Sequence, residues 1–196
     1  NGKLMMAYNS AVNRTHLYPA PAGTHRRAGL VVPAVPTTGA PSGGTITDNR
    51  KYAVCWVIQS GGLTVVRSNL SPLTAAVTLA AQQVVITRPT AASEGETHWE
   101  LYIYSDDDNY AIGRLRVTTA IGTTTVTDNT SDLSSFITAP PLSGANTPFP
   151  SVKFLLTDGS HLIGAGAWET AAGTGFTPSP RLVCWTPALG TSDTDG

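Results

Sequence analysis

Few residues in this chain have types and spacing that could do chemistry. The densest group is Asp106-Asp107-Asp108-Asn109. Its oxygens could gather a hard cation if they converged, yet the run lacks the spaced carboxylates, the central Gly and the distal Glu of a calcium loop. Short Asx-rich turns between strands are ordinary, because these side chains hydrogen-bond their own backbone, so no metal is expected here. Tyr102, Tyr104 and Tyr110 flank the run. Exposed aromatics beside hydrogen-bonding side chains are what a sugar site needs, since a ring can stack on them. Tyr102, Tyr104, Asp106, Asp107, Asp108, Asn109 and Tyr110 therefore make a candidate surface-binding patch, with a host surface glycan as its partner.

The other reactive types are scattered. His16, His25, His98 and His161 share no metal-ligand spacing with one another or with Cys55 and Cys184, which argues against zinc. His98 and Glu100 lie two apart on one strand face, where an exposed pair is expected. Cys55 sits in an apolar run and reads as a small buried thiol. No serine occupies a Gly-x-Ser-x-Gly elbow, and no glycine cluster opens a helix to cradle phosphate. The expectation is a non-enzymatic chain with no catalytic residues and no cofactor.

The elements that would position these residues are strands. Lys51–Ile58, Leu63–Arg67, Ala75–Leu79, Gln83–Thr87, His98–Tyr104, Tyr110–Val117 and Thr123–Thr127 are short β-branched and aromatic runs. Turn clusters such as Ser60-Gly61-Gly62 and Asp128-Asn129 separate them. This spacing, with no helix-length apolar pattern between runs, predicts an antiparallel β-sandwich. Tyr52, Val54, Trp56 and Ile58 alternate with Ala53, Cys55 and Val57, so both faces of that strand are apolar and it should be central. Trp99, Leu101 and Ile103 suit a core face, and His98, Glu100, Tyr102 and Tyr104 a partly wet one. Trp56 and Trp99 are the expected core anchors.

Flanking pieces are also β-like. Lys3–Tyr8, Arg14–Tyr18 and His25–Leu30 are strand candidates that resemble most of one blade of a propeller. A proline-rich passage, 33–44, leads into the sandwich, with 33–37 as an edge strand. A second, 138–150, leads out of it to a hairpin of Val152–Leu156 and His161–Gly166 and a last strand, Arg181–Thr186. The expected division is residues 1–32 for an N-terminal β segment, 33–140 for the sandwich, and 141–196 for the linker and C-terminal β segment of the flanking body. The chain lacks an initiator Met and stops abruptly after Asp195-Gly196, so a piece of a longer polypeptide is expected.

Composition narrows the partners. Over 196 residues the net charge is −1 and charged residues make up 13%, about half the usual share. Such a balance gives no general pull towards nucleic acid or an anionic membrane. No apolar run approaches the ~18 residues of a membrane span, and no signal peptide opens the chain. The first 32 residues nonetheless carry Lys3, Arg14, Arg26 and Arg27 without a carboxylate. Arg14, Arg26 and Arg27 are candidate subunit-contact residues.

The series Lys51-Tyr-Ala-Val-Cys-Trp-Val-Ile58, Gly61-Gly62, Arg67-Ser68, Thr97-His-Trp-Glu-Leu-Tyr-Ile-Tyr104 and Thr124-Thr-Val-Thr-Asp128 resembles the fibronectin type III-like domains of tail proteins of double-stranded DNA bacteriophages. Asn13-Arg-Thr-His-Leu-Tyr18 before Arg26-Arg-Ala-Gly29, then Thr147-Pro-Phe-Pro-Ser-Val-Lys-Phe154 and Asp158-Gly-Ser-His-Leu162, resemble the arrangement in such proteins, where a sandwich interrupts a larger β-rich body. The resemblance implies a virion structural role in the tail, with other tail proteins and copies of the chain as partners. It supplies no catalytic residue. No Arg-Gly-Asp occurs, so integrin-type adhesion gains no support.

Overall fold

The computed structural model describes residues 29–141 and, outside them, the strands spanning 3–6, 16–19, 26–27, 152–157, 162–167 and 179–185. The chain divides into two compact units: Asn1–Val31 with Gly144–Gly196, and Val32–Ser143. Both are built from antiparallel strands. Among the described residues there is no α-helix, and none that is long and apolar enough to cross a membrane.

The first unit begins with β1 (Lys3–Met6), β2 (His16–Pro19) and β3 (Arg26–Arg27), which form one sheet in that order. The second unit holds β4 (Thr37–Thr38), β5 (Ser42–Ile46), β6 (Asn49–Ser60), β7 (Leu63–Arg67), β8 (Val77–Thr78), β9 (Gln82–Thr87), β10 (His98–Ser105), β11 (Arg114–Ala120) and β12 (Thr125–Asp128). Five of these make a sheet ordered β11-β10-β6-β7, with β8 also on β6; the other four are ordered β12-β9-β4, with β5 also on β9. The first unit then resumes with a sheet of β13 (Val152–Thr157), β14 (Leu162–Ala167) and β15 (Ser179–Trp185).

The sequence of β6 explains its central place. Tyr52 through Val57 are buried on both faces, which only a strand covered from both sides can tolerate. Trp56 pairs with Trp99 across β6 and β10, and both indoles are essentially inaccessible. The β6–β7 hairpin closes on Gly61 and Gly62 at φ 60° and 79°, a left-handed pair that glycine adopts without steric cost. On β9 and β12 the alternation is simple: Val84, Ile86 and Asp128 point inward, while Val85, Thr125 and Thr127 are exposed.

Beyond β7 the chain stays on the β6 edge in an irregular way. Ser68, Ser71 and Thr74 donate their backbone N–H to the carbonyls of Trp56, Val54 and Tyr52 at 2.8–2.9 Å. Their hydroxyls accept the N–H of the same three residues at 2.9–3.0 Å. Three residues on one side thus face two on the other, repeatedly, as in a run of bulges. On the opposite margin of the sheet, Leu115 N–H donates to Thr138 O at 2.9 Å. Pro72 and Pro140 interrupt these two covering segments, and proline blocks further strand pairing.

Three differences from the expected elements have physical reasons. The stretch expected as a proline-rich lead-in contains β4 and β5, because Thr37, Thr38 and Ser42 find partners on β9 between the prolines. A Cβ at Gly44 would lie 2.5 Å from Gln83 N, so a glycine is required for this approach. The strand expected from Tyr110 starts only at Arg114, since Asn109 and Tyr110 turn into the left-handed region. The partly wet face expected for Glu100, Tyr102 and Tyr104 is buried, with only His98 of that set half-exposed.

Candidate functional site

The candidate patch lies at the end of β10. Ser105 caps a single 3-10 turn, Asp106–Asp108, by accepting the Asp107 N–H. Asn109 and Tyr110 N–H groups close the turn on Asp106 O and Ser105 O at 2.9 and 2.8 Å. The three carboxylates diverge. Asp106 accepts the Asn49 N–H at 3.0 Å and its side-chain amide, bonds that hold its carboxyl below the usual range. Asp108 pairs with Arg114, and Asp107 faces solvent.

The tyrosines do not join them as a stacking surface. Tyr102 is fully buried and donates to Glu100 Oε2 at 2.7 Å. Tyr104 is 8% exposed, and its ring lies where a Cβ on Gly113 would stand 2.5 Å away. Tyr110 alone keeps part of its ring accessible, with Lys51 Nζ 4.2 Å from its centroid, a cation–π contact. Two of the three expected platforms are thus core residues, because β10 is covered on the face that alternation alone would leave wet.

What organises that face is Glu100, a residue expected at the surface. It is 1% exposed. Arg67 on β7 reaches it through Nε and Nη2 at 2.9–3.1 Å, the Cys55 thiol donates at 3.2 Å, and Thr118 Oγ1 stands at 3.5 Å. Cys55 pairs directly with Glu100 in the β6–β10 register, and Ala53, Cys55, Val57, Tyr102 and Tyr104 form one apolar cluster around the acid. Burial pushes the Glu100 carboxyl up, but the Arg67 fork, the Tyr102 hydroxyl and the Cys55 thiol outweigh it and hold the group below its ordinary value. Burial and the neighbouring carboxylate push the Cys55 thiol well up. A protonated thiol beside a saturated carboxylate is a poor nucleophile. The cluster braces β6, β7, β10 and β11.

A second buried network ties the two sheets of this unit together. Arg50 is fully buried and donates to Asp48 at 2.8 Å and to Asp128 on β12 at 2.7 Å. Tyr52 OH donates to the same Asp128 oxygen at 3.0 Å, and Ser105 Oγ to Asp48 at 2.7 Å. Burial would discharge Arg50, but the two carboxylates more than offset it and raise its pKa. Burial likewise pushes the Tyr52 phenol far up. Both networks join residues far apart in sequence, with Asp128 some 78 positions from Arg50, so no local motif announces them. The one sequence signal was an acid among apolar neighbours at position 100.

His98 Nδ1 lies 2.9 Å from Thr97 Oγ1. Among the described residues no three His, Cys, Asp or Glu side chains are grouped to hold a metal ion. Of the candidate subunit-contact residues, Arg26 and Arg27 form β3 with side chains outside the description, and Arg14 lies outside the described residues. No protein-family model matches the sequence, and no curated protein matches it either.

Proposed function

We propose that Val32–Ser143 is a fibronectin type III-like sandwich and that the chain is a non-enzymatic structural component of a bacteriophage tail. In this role it packs against copies of itself and other tail proteins, in the virion, with no cofactor. The observation that carries the proposal is the insertion: one all-β unit interrupts another whose two segments lie before and after it in sequence, the arrangement that the resemblance to phage tail proteins implies. The buried ionisable groups support it, since Glu100, Arg50 and Asp128 are held by internal bonds. So do the irregular segments along both margins of the five-stranded sheet, which let domains crowd together without strand-to-strand fusion.

The test is immunogold labelling of particles produced from the genome that encodes the chain. Label along the tail of intact particles is expected. Label confined to the capsid, or found only in particle-free lysate, rules the proposal out.

A further inference from the structure

The outward face of the β12-β9-β4/β5 sheet is unlike the rest of the second unit. Thr37, Thr87 and Thr125 stand in register across three strands, and Val85 and Thr127 form the next pair. Ser42 follows, opposite Gln83. The only ionisable side chain in these four strands is Asp128, and it is buried on the inner side. By contrast, the five-stranded sheet presents Arg67, and Arg116 lies along its β11 margin, both part-exposed.

We infer that this face is where a second copy of the chain docks, face to face. Two identical surfaces related by a two-fold axis bring each charge towards its own copy, so a self-docking surface is favoured by neutrality. This one is neutral at every outward position of its four strands. Its β-branched side chains have few rotamers to lose when covered. The hydroxyls both donate and accept, so threonine can pair with threonine across the contact. Four short strands give a small footprint beside the ~1,600 Å² total of a stable interface, so the contact is weak alone and gains strength in an array.

The inference rests on the packing role proposed above, and the following experiment separates the two. Sedimentation equilibrium of the full chain over a wide concentration range is expected to show reversible self-association. Val85→Lys, at the exposed centre of the face, should weaken it at least ~10-fold by like-charge repulsion while leaving the circular dichroism spectrum unchanged. Mixing Val85→Lys with Val85→Glu copies should restore association that neither has alone. Association undiminished in Val85→Lys overturns the assignment of this face and leaves self-packing through another surface. A parent chain that stays monomeric throughout overturns the inference as well, whereas the tail proposal is decided separately by labelling of particles.

Discussion

Replacing Glu100 with alanine removes the acceptor at the centre of the cluster on β6, β7, β10 and β11. Three donors lose their partner. The Tyr102 hydroxyl is fully buried, and an unsatisfied buried donor costs about 1–3 kcal/mol. The Cys55 thiol is equally buried but is a weak donor and adds little. The Arg67 side chain is 36% exposed, so water replaces much of what it loses, and solvent screening limits this share to ~1 kcal/mol. Truncation also leaves a small void, and the total falls at about 3–4 kcal/mol, within the range for breaking a buried pair. Urea denaturation with an unchanged m-value reads this as a drop in midpoint. Glu100→Gln keeps an acceptor for Tyr102 and should lose less. The pH dependence has a fixed sign. The folded-state carboxyl lies below its ordinary value of 4.5, so its stabilisation is present above that pH and disappears as pH falls through the lower, folded-state value. The parent should therefore converge on Glu100→Gln in acid. A Glu100→Ala chain within ~0.5 kcal/mol of the parent refutes the account of this cluster.

Other outcomes follow from the same structure. Trp99→Ala should cost about 3–5 kcal/mol, since the indole is fully buried and its Nε1 donates to Thr123 O at 2.8 Å; a variant as stable as the parent places that strand face wrongly. Ser71→Ala strips the acceptor from the buried Val54 N–H and should cost about 1–3 kcal/mol in a denaturant titration, whereas a neutral result means that the hydroxyl seam along β6 is incidental. Burial pushes the phenols of Tyr52 and Tyr102 far above the ordinary value, so an absorbance titration at high pH should show them ionising only together with alkaline unfolding. Immediate ionisation of every tyrosine in a rapid pH jump contradicts their placement.

The strands were legible in the sequence where local pattern and tertiary environment agree. Leu63–Arg67 has the bounds expected for it, and β6, β9 and β10 lie within two residues of theirs, because alternating β-branched and aromatic residues fix strand type wherever turns bound them. Local pattern failed where a distant partner decides. Thr37, Thr38 and Ser42 lie among prolines and glycines and become strand only because β9 offers hydrogen bonds. Tyr110 carries strand propensity, yet the turn built on Ser105 holds it at φ 58°. The candidate patch failed for a related reason. Whether Tyr102 and Tyr104 face water depends on what covers the second face of β10, and Arg67, Leu70 and Leu115 come from other parts of the chain. The pairing of Glu100 with Cys55 needed the β6–β10 register, which no window of sequence contains.

Electron cryomicroscopy of intact particles from the encoding genome tests the central claim most directly. The account predicts this chain as repeated copies arranged around the tail axis, with the Val32–Ser143 unit of each copy against a neighbour. A reconstruction in which the tail lacks the chain, or in which each copy stands apart from every other protein, contradicts it.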